Sequence, residues 1–569
     1  MHDESTPSDW KSPLDAVYGD KRAADISTAV HSLLERHRRS TATTERWSER
    51  DAWLIAYPDQ VTTVGENPLL TLHRFYQRRL SAAFNGIHIL PFFPATSDEG
   101  FSIRDYETVD AAFGDWTDIE AIAADARLMV DAVLNHCSVG SESFLGWARG
   151  DPSYREFIRI AEPTADLSMT VRAREHPLLT PFETARGTEW VWTTFSADQA
   201  DLNYGNPAVL LYVLSVLLSY AEHGASAIRL DAVCFLWKEE GTSSIHLPET
   251  HQIIRFFRAC LDATYPDVVL VSETNVPHEE NVSYLGDGSV PEADVVYRFT
   301  LPPLVLHAFS TGDATDLADW LGNIAPTPPD TTFLNFLASH DGVGLRPLEG
   351  LVDDASVEHL VEDAEAHGGR ANRHSLPDGT SVPYELNATW YDLIRGPTSG
   401  ADAMARHLAS HAIMFAISGV PAVYIHALLA TENDLDLAAD TGAARSINRS
   451  RLDLGRLDGL LADPASRESI SLAQINSMLR LRRSTDAFHP NSLQTVLQTP
   501  PSVLGIERRS SAGRIARVYV NVSGEAVDVA HGFPAAPVGY RCGATTDGLH
   551  LEPWGFAWLI DRSEIPDSP

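Results

Sequence analysis

Apolar residues along the chain fall into short runs separated by longer stretches that alternate in helical fashion. The runs are 53–59 (WLIAYPD), 86–94 (GIHILPFFP), 128–136 (LMVDAVLNH), 226–233 (SAIRLDAV), 268–275 (VVLVSETN), 295–303 (VVYRFTLPP), 333–341 (FLNFLASHD) and 420–425 (VPAVYI). Runs this short and this continuous suit strands buried on both faces, as in a parallel sheet covered by helices. Eight of them in alternation with helices predict an α/β fold, a (β/α)₈ TIM barrel.

Departures from the rhythm predict additions to the barrel. Residues 1–48 are polar, with a helical pattern at 26–39, and predict a helical N-terminal extension. The barrel then occupies 49–486. Two intervals are too long for ordinary loops. One, about 137–202, is rich in Pro, Arg and Trp and reads as an inserted excursion domain. The other, 346–391, carries a Gly/Asn/Asp/Pro-rich stretch (366–381) and reads as a mobile lid. After residue 487 the runs become short and strand-like, predicting a C-terminal antiparallel β-sandwich domain through 569.

Composition narrows the partners. The formal net charge of the 569 residues is −35, which repels nucleic acid and anionic membranes, so small-molecule substrates are expected. Lysine stands only at Lys11, Lys21 and Lys238; the rest of the 43 basic residues are arginine. Such a surface resembles proteins of salt-loving organisms, although a GC-rich genome also favours arginine. Cys137, Cys234, Cys260 and Cys542 are scattered without metal spacing and read as free thiols. The polar, acidic N-terminus lacks an apolar core, and the apolar stretch 411–430 is interrupted by Ser418-Gly419 and Pro421, so a cytoplasmic location is expected.

Candidate chemistry lies at the ends of the runs. Asp131, Asp231, Glu273 and Asp341 close or follow the third, fourth, fifth and seventh of them. In a barrel those ends converge on one face, and four carboxylates brought together perturb one another. A single aspartate in such a place is an ordinary helix cap; four in distinctive contexts point to a site. Arg229, two residues before Asp231, shares its strand face and is expected to keep it ionised.

The contexts Asp-Ala-Val-Leu-Asn-His (131–136), Ile-Arg-Leu-Asp-Ala-Val (228–233), Ser-Glu-Thr-Asn (272–275) and Ser-His-Asp-Gly (339–342) resemble, in this order, the signature regions of the α-amylase superfamily. The resemblance implies that Asp231 is the nucleophile, Glu273 the general acid/base and Asp341 the transition-state stabiliser of a retaining reaction. Such a pair needs carboxyls roughly 5–5.5 Å apart. It also implies that His136 and His340 bind the sugar. The stretches 97–101, 238–251, 299–312 and 446–450 are similar to sucrose phosphorylases, which implies Asp98, Phe101, Gln199 and Arg449 at a one-glucosyl pocket. Core packing for Phe101 and a turn for Asp98 are the alternatives.

An Arg-Ala-Arg (172–174) makes Arg174 a phosphate ligand by the same likeness, against a surface pairing with Glu175 or Glu183. Val382-Pro383-Tyr384-Glu385 stands where the sucrose phosphorylase lid carries Asp-Leu-Tyr-Gln, part of which contacts the second substrate; the aspartate is absent and Glu385 replaces the glutamine. Thr274-Asn275-Val276-Pro277-His278, after Glu273, looks more like glucosylglycerate phosphorylases. A glycerate carboxylate would need a partner, for which Arg373, His374 and Lys238 are candidates, each otherwise a solvated loop residue. The implied activity is release of glucose 1-phosphate from 2-O-α-glucosylglycerate. Sucrose, sucrose 6-phosphate or glucosylglycerol phosphorylase are the alternatives, and a retaining α-glucosidase or a non-catalytic sugar-binding barrel stand further off. No cofactor and no metal are expected; homodimers are common among such relatives, but no seam is visible in the chain.

Overall fold

In a computed structural model, residues 9–37, 46–172, 174, 176–375 and 381–561 are described. Eight parallel strands close into a barrel: β1 (Trp53–Ala56), β2 (Gly86–Ile89), β3 (Arg127–Val133), β4 (Ala225–Asp231), β5 (Val269–Ser272), β6 (Val295–Tyr297), β7 (Thr332–Asn335) and β8 (Val420–Tyr424). They pair in sequence order, and β8 closes on β1. Each of the eight apolar runs supplies one strand, almost wholly buried, because helices cover the outer face and side chains fill the inner one. Close packing leaves its mark at Gly86, which pairs with Trp53. A Cβ there would sit 2.6 Å from the indole, so the ring lies directly on the glycine backbone.

Additions to the barrel sit where the spacing is long. Helix Lys11–His37, bent at Gly19, lies along helices Pro207–Glu222 and Pro248–Thr264. Between β3 and β4 the chain forms a small pair of hairpin-like ladders: His136–Ser138 with Gln199–Asp201, and Leu179–Thr184 with Gly187–Trp192. After β7, the stretch read as a lid holds helix Asp354–Ala366 and a hairpin of Arg370–Ser375 with Ser381–Asn387. The hairpin is tied down, since Val343–Gly344 pairs with Glu385 and Leu386.

At the C-terminus, six antiparallel strands between Leu493 and Ile560 share one ladder. The long strand Leu549–Ile560 bends at Trp554, opposite a register shift at Tyr540/Cys542. The sheet thereby folds over a core of Val503, Tyr519, Val529, Leu549, Leu551, Ala557 and Leu559. Its other side packs on helix Gly400–Ala416. The four cysteines are unpaired: three are buried and Cys542 is half-buried. Among the described residues no helix is long and apolar enough to cross a membrane.

Candidate active site

Parallel strands deliver their C-terminal ends to one face, and the candidate carboxylates arrive there from different strands. Asp231 is the last residue of β4. Glu273 follows β5 by one residue, held there by its N–H donating to the Leu230 carbonyl (3.1 Å). Asp341 follows β7 by six residues and is placed by the loop, not by the sheet. All three line one cleft, with Asp98, Phe101, His136, Gln199, His340, Tyr384, Glu385 and Arg174.

Asp131 does not belong to this lining. β3 continues to Val133, so Asp131 lies two residues inside the barrel, fully buried. In register beside it on β4 stands Arg229, whose Nη1 donates to Asp131 and, at 2.9 Å, to Asp231 Oδ1. His88 Nε2 meets the other Asp131 oxygen at 2.6 Å. Burial raises the Asp131 pKa, but Arg229 and His88 outweigh it and bring it to about 2. The residue expected in the pocket is thus the anchor of Arg229 beneath it.

Arg229 shares its charge. It serves Asp131 and Asp231, and its Nη2 lies 3.7 Å from Glu273 Oε2. It lowers the Asp231 pKa as expected, yet burial and the charges of Asp131 and Asp341 outweigh it and lift Asp231 to about 7. Burial likewise lifts Glu273 to about 7, against the pull of Arg229. The hydrogen bonds break the tie. Asp231 takes a charged guanidinium donor, whereas Glu273 Oε2 takes the neutral N–H of Ala232 (2.9 Å). The ionised form is therefore better held at Asp231, and the proton at Glu273. Ala232 offers that N–H because it turns into the left-handed region (φ 48°) straight after the strand, a strained conformation for alanine.

Aromatic and polar side chains make up the wall of the same cleft. The Phe101 ring stacks on His340, centroids 4.7 Å apart, so its packing and its pocket position are one arrangement. Burial keeps the His340 imidazole neutral, at about 3, despite Asp341. His136 Nε2 meets the Phe101 carbonyl (2.8 Å) and the Gln199 amide (3.1 Å). Burial lowers its pKa also. Asp98 and Glu99 both adopt positive φ (52° and 47°), which turns the Asp98 carboxylate inward, within 3.4 Å of Gln199 Nε2.

Arg449, expected at the sugar pocket, lies behind it, and Arg445, which the sequence reading did not name, lines the cleft. Arg449 is 3 % exposed and lies behind the wall; its Nε donates to the His340 carbonyl (2.8 Å) and its Nη2 is 3.6 Å from Asp341. Arg445 faces the cleft. It pairs with Asp341 and grips Glu385 with two bonds, at 2.6 and 3.1 Å. Burial raises the Asp341 pKa, but Arg445, His340 and Arg449 hold it well below the usual carboxylate range. Arg445 went unread because only the motif after it was matched; its spacing of four from Arg449, with two carboxylates in need of a cation, was the available signal.

Arg172, Arg174 and Arg346 also line the cleft. Of the carboxylate-binding candidates, Lys238 is excluded: it is buried against Asp201 (2.9 Å), Asn135 (2.7 Å) and the Phe235 carbonyl (2.6 Å). Arg373 forks onto Glu358 at the exposed hairpin, outside the cleft. The His374 side chain lies outside the described residues, as does Glu175. Asn275 also lines the cleft, and its Oδ1 is buried without a partner. Among the described residues no group of three or more His, Cys, Asp or Glu is arranged to hold a metal ion.

Residues 78–342 match the α-amylase catalytic domain. A glucosylglycerate phosphorylase of Allomeiothermus silvanus is 46% identical over 520 residues, covering 90% of this chain and 92% of its own. The chain belongs to the α-amylase family. A sucrose phosphorylase of Bifidobacterium adolescentis is 30% identical, covering 76% of this chain and 85% of its own. In fold, this α-amylase family member resembles the solved sucrose 6F-phosphate phosphorylase from Thermoanaerobacter thermosaccharolyticum. That likeness has a TM-score of 0.73 at 24% identity, over 85% of this chain and 95% of the other.

Proposed function

We propose that this chain is a retaining glycoside phosphorylase that exchanges phosphate for D-glycerate on an α-glucosyl unit. One observation carries the reading: in a protein of net charge −35, four arginines, Arg172, Arg174, Arg346 and Arg445, line the same cleft as Asp231 and Glu273. An acidic protein that handles anions needs such a local reversal of sign. Asp231 attacks the anomeric carbon while Glu273 gives its proton to the departing glycerate oxygen, and a glucosyl ester on Asp231 results. Phosphate then attacks the same carbon from the vacated side, Asp231 leaves, and Glu273 takes back a proton. Arg174, from the excursion between β3 and β4, is assigned to phosphate. Asp98, Asp341 and Arg445 form the polar edge against which one glucosyl unit fits. The higher identity to glucosylglycerate phosphorylases than to sucrose phosphorylases supports glycerate as the second substrate.

The test is phosphate release from glucose 1-phosphate with D-glycerate, fructose, glycerol or water, at low and high salt. The salt arm probes the acidic, lysine-poor surface. Fast release with D-glycerate alone is expected. Release with fructose instead would overturn the acceptor, and release with water alone would make the chain a hydrolase.

A further inference from the structure

The arginines that line the cleft are unequally committed. Arg445 is consumed by Asp341 and Glu385. Arg172 donates to the His176 carbonyl. Arg346 lines the cleft with its side chain 25% exposed, and its nearest anions, Glu349 at 3.6 Å and Glu280 at 3.9 Å, are beyond hydrogen-bond reach. Among the described residues none of its side-chain donors has a hydrogen-bond partner.

The backbone that carries it is fixed. Gly344 pairs with Glu385, the Leu345 N–H donates to the Tyr384 carbonyl (2.9 Å), and a 3₁₀ turn spans Arg346–Leu348. Arg346 therefore shares a wall with Tyr384. Glu280 is itself steadied by His246 (3.2 Å).

We propose that Arg346 binds the carboxylate of the acceptor and so selects an anionic over a neutral one. This rests on the glycerate reading above. In the proposed reaction two anions use this cleft in turn, a dianionic phosphate and a monoanionic carboxylate. Two glutamates flank Arg346, which disfavours the dianion there, while the planar fork suits a carboxylate bidentately. Among the described residues Arg174 has no carboxylate within ion-pair distance, which leaves it the better seat for phosphate.

The experiment compares D-glycerate with glycerol, the same skeleton without the charge, as acceptors for glucose 1-phosphate in the wild type, Arg346→Gln and Arg346→Lys. In Arg346→Gln the KM for glycerate is expected to rise roughly 10- to 100-fold, the scale of one lost charge-assisted contact. Turnover with glycerol and the KM for glucose 1-phosphate should stay within about threefold, and Arg346→Lys should recover part of the loss, because charge remains without the fork. An unchanged glycerate KM, an equal loss with both acceptors, or a rise confined to the KM for glucose 1-phosphate would each overturn the assignment. A wild type that does not prefer glycerate to glycerol would instead overturn the proposed function and this proposal with it.

Discussion

Replacing Asp131 by asparagine removes one negative charge from beneath the nucleophile while keeping the side chain's shape. Two effects follow, with separate readouts. The first is stability. The fall of the Asp131 pKa from 3.8 to about 2 corresponds to about 2 kcal/mol of differential stabilisation of the ionised form. Because the folded pKa is depressed, this stabilisation is full above about pH 4 and fades as pH falls toward 2. Asparagine also brings an NH₂ donor where His88 Nε2 needs an acceptor. If the amide oxygen turns to Arg229, His88 must move its proton to Nδ1, which is buried and has no partner. That costs a further ~1–3 kcal/mol. A loss of about 3–5 kcal/mol, or roughly 3–5 °C in Tm for a chain of this size, is expected by thermal denaturation at neutral pH.

The second effect runs the other way. Asp131 raises the Asp231 pKa and occupies part of Arg229. Without its charge, Asp231 ionises more readily, so the acid limb of kcat/KM for glucose 1-phosphate should move to lower pH across roughly pH 5–9. A less stable enzyme that holds its activity further into acid is a combination that simple damage does not produce. An acid limb that stays in place, or moves up, would refute the view that Arg229 divides its charge between Asp131 and the nucleophile.

Three further outcomes test the rest of the site. Burial lifts Glu273 to about 7, so activity should fall as pH rises through that value, and Glu273→Gln should lose this basic limb; a limb that survives the substitution belongs to another group. Arg445→Met strips the shared cation from Asp341 and Glu385, so the acid limb should move up, opposite to Asp131→Asn, with about 3–5 kcal/mol lost; no movement would mean that Arg449 alone holds Asp341 ionised. Lys238→Met leaves buried Asp201 without its cation and should cost a similar amount in chemical denaturation while leaving acceptor preference unchanged; an altered glycerate KM in a stable variant would return Lys238 to the acceptor site.

What the sequence alone determined was the barrel and the ends of its strands. Burial on both faces forces near-continuous apolar runs, and all eight became strands. Residues placed by strand geometry were legible for the same reason: Asp231 ends β4, Glu273 follows β5, and Arg229 shares the face of Asp231 because strand side chains alternate. The depth of a residue was another matter. Asp131 has a motif as clear as the others, but only the continuation of β3 to Val133 puts it below the floor. The charged groups of the loops were decided by tertiary structure. Lys238, Arg373, Arg346, Arg445 and Arg449 look alike in a sequence; Lys238 is spent on Asp201, Arg373 on Glu358 and Arg445 on Asp341 and Glu385, whereas Arg346 lines the cleft with no carboxylate within hydrogen-bond reach. A long cation reaches whichever anion the fold brings near, and separations such as 60 residues between Glu385 and Arg445 carry no periodicity from which that pairing could be read.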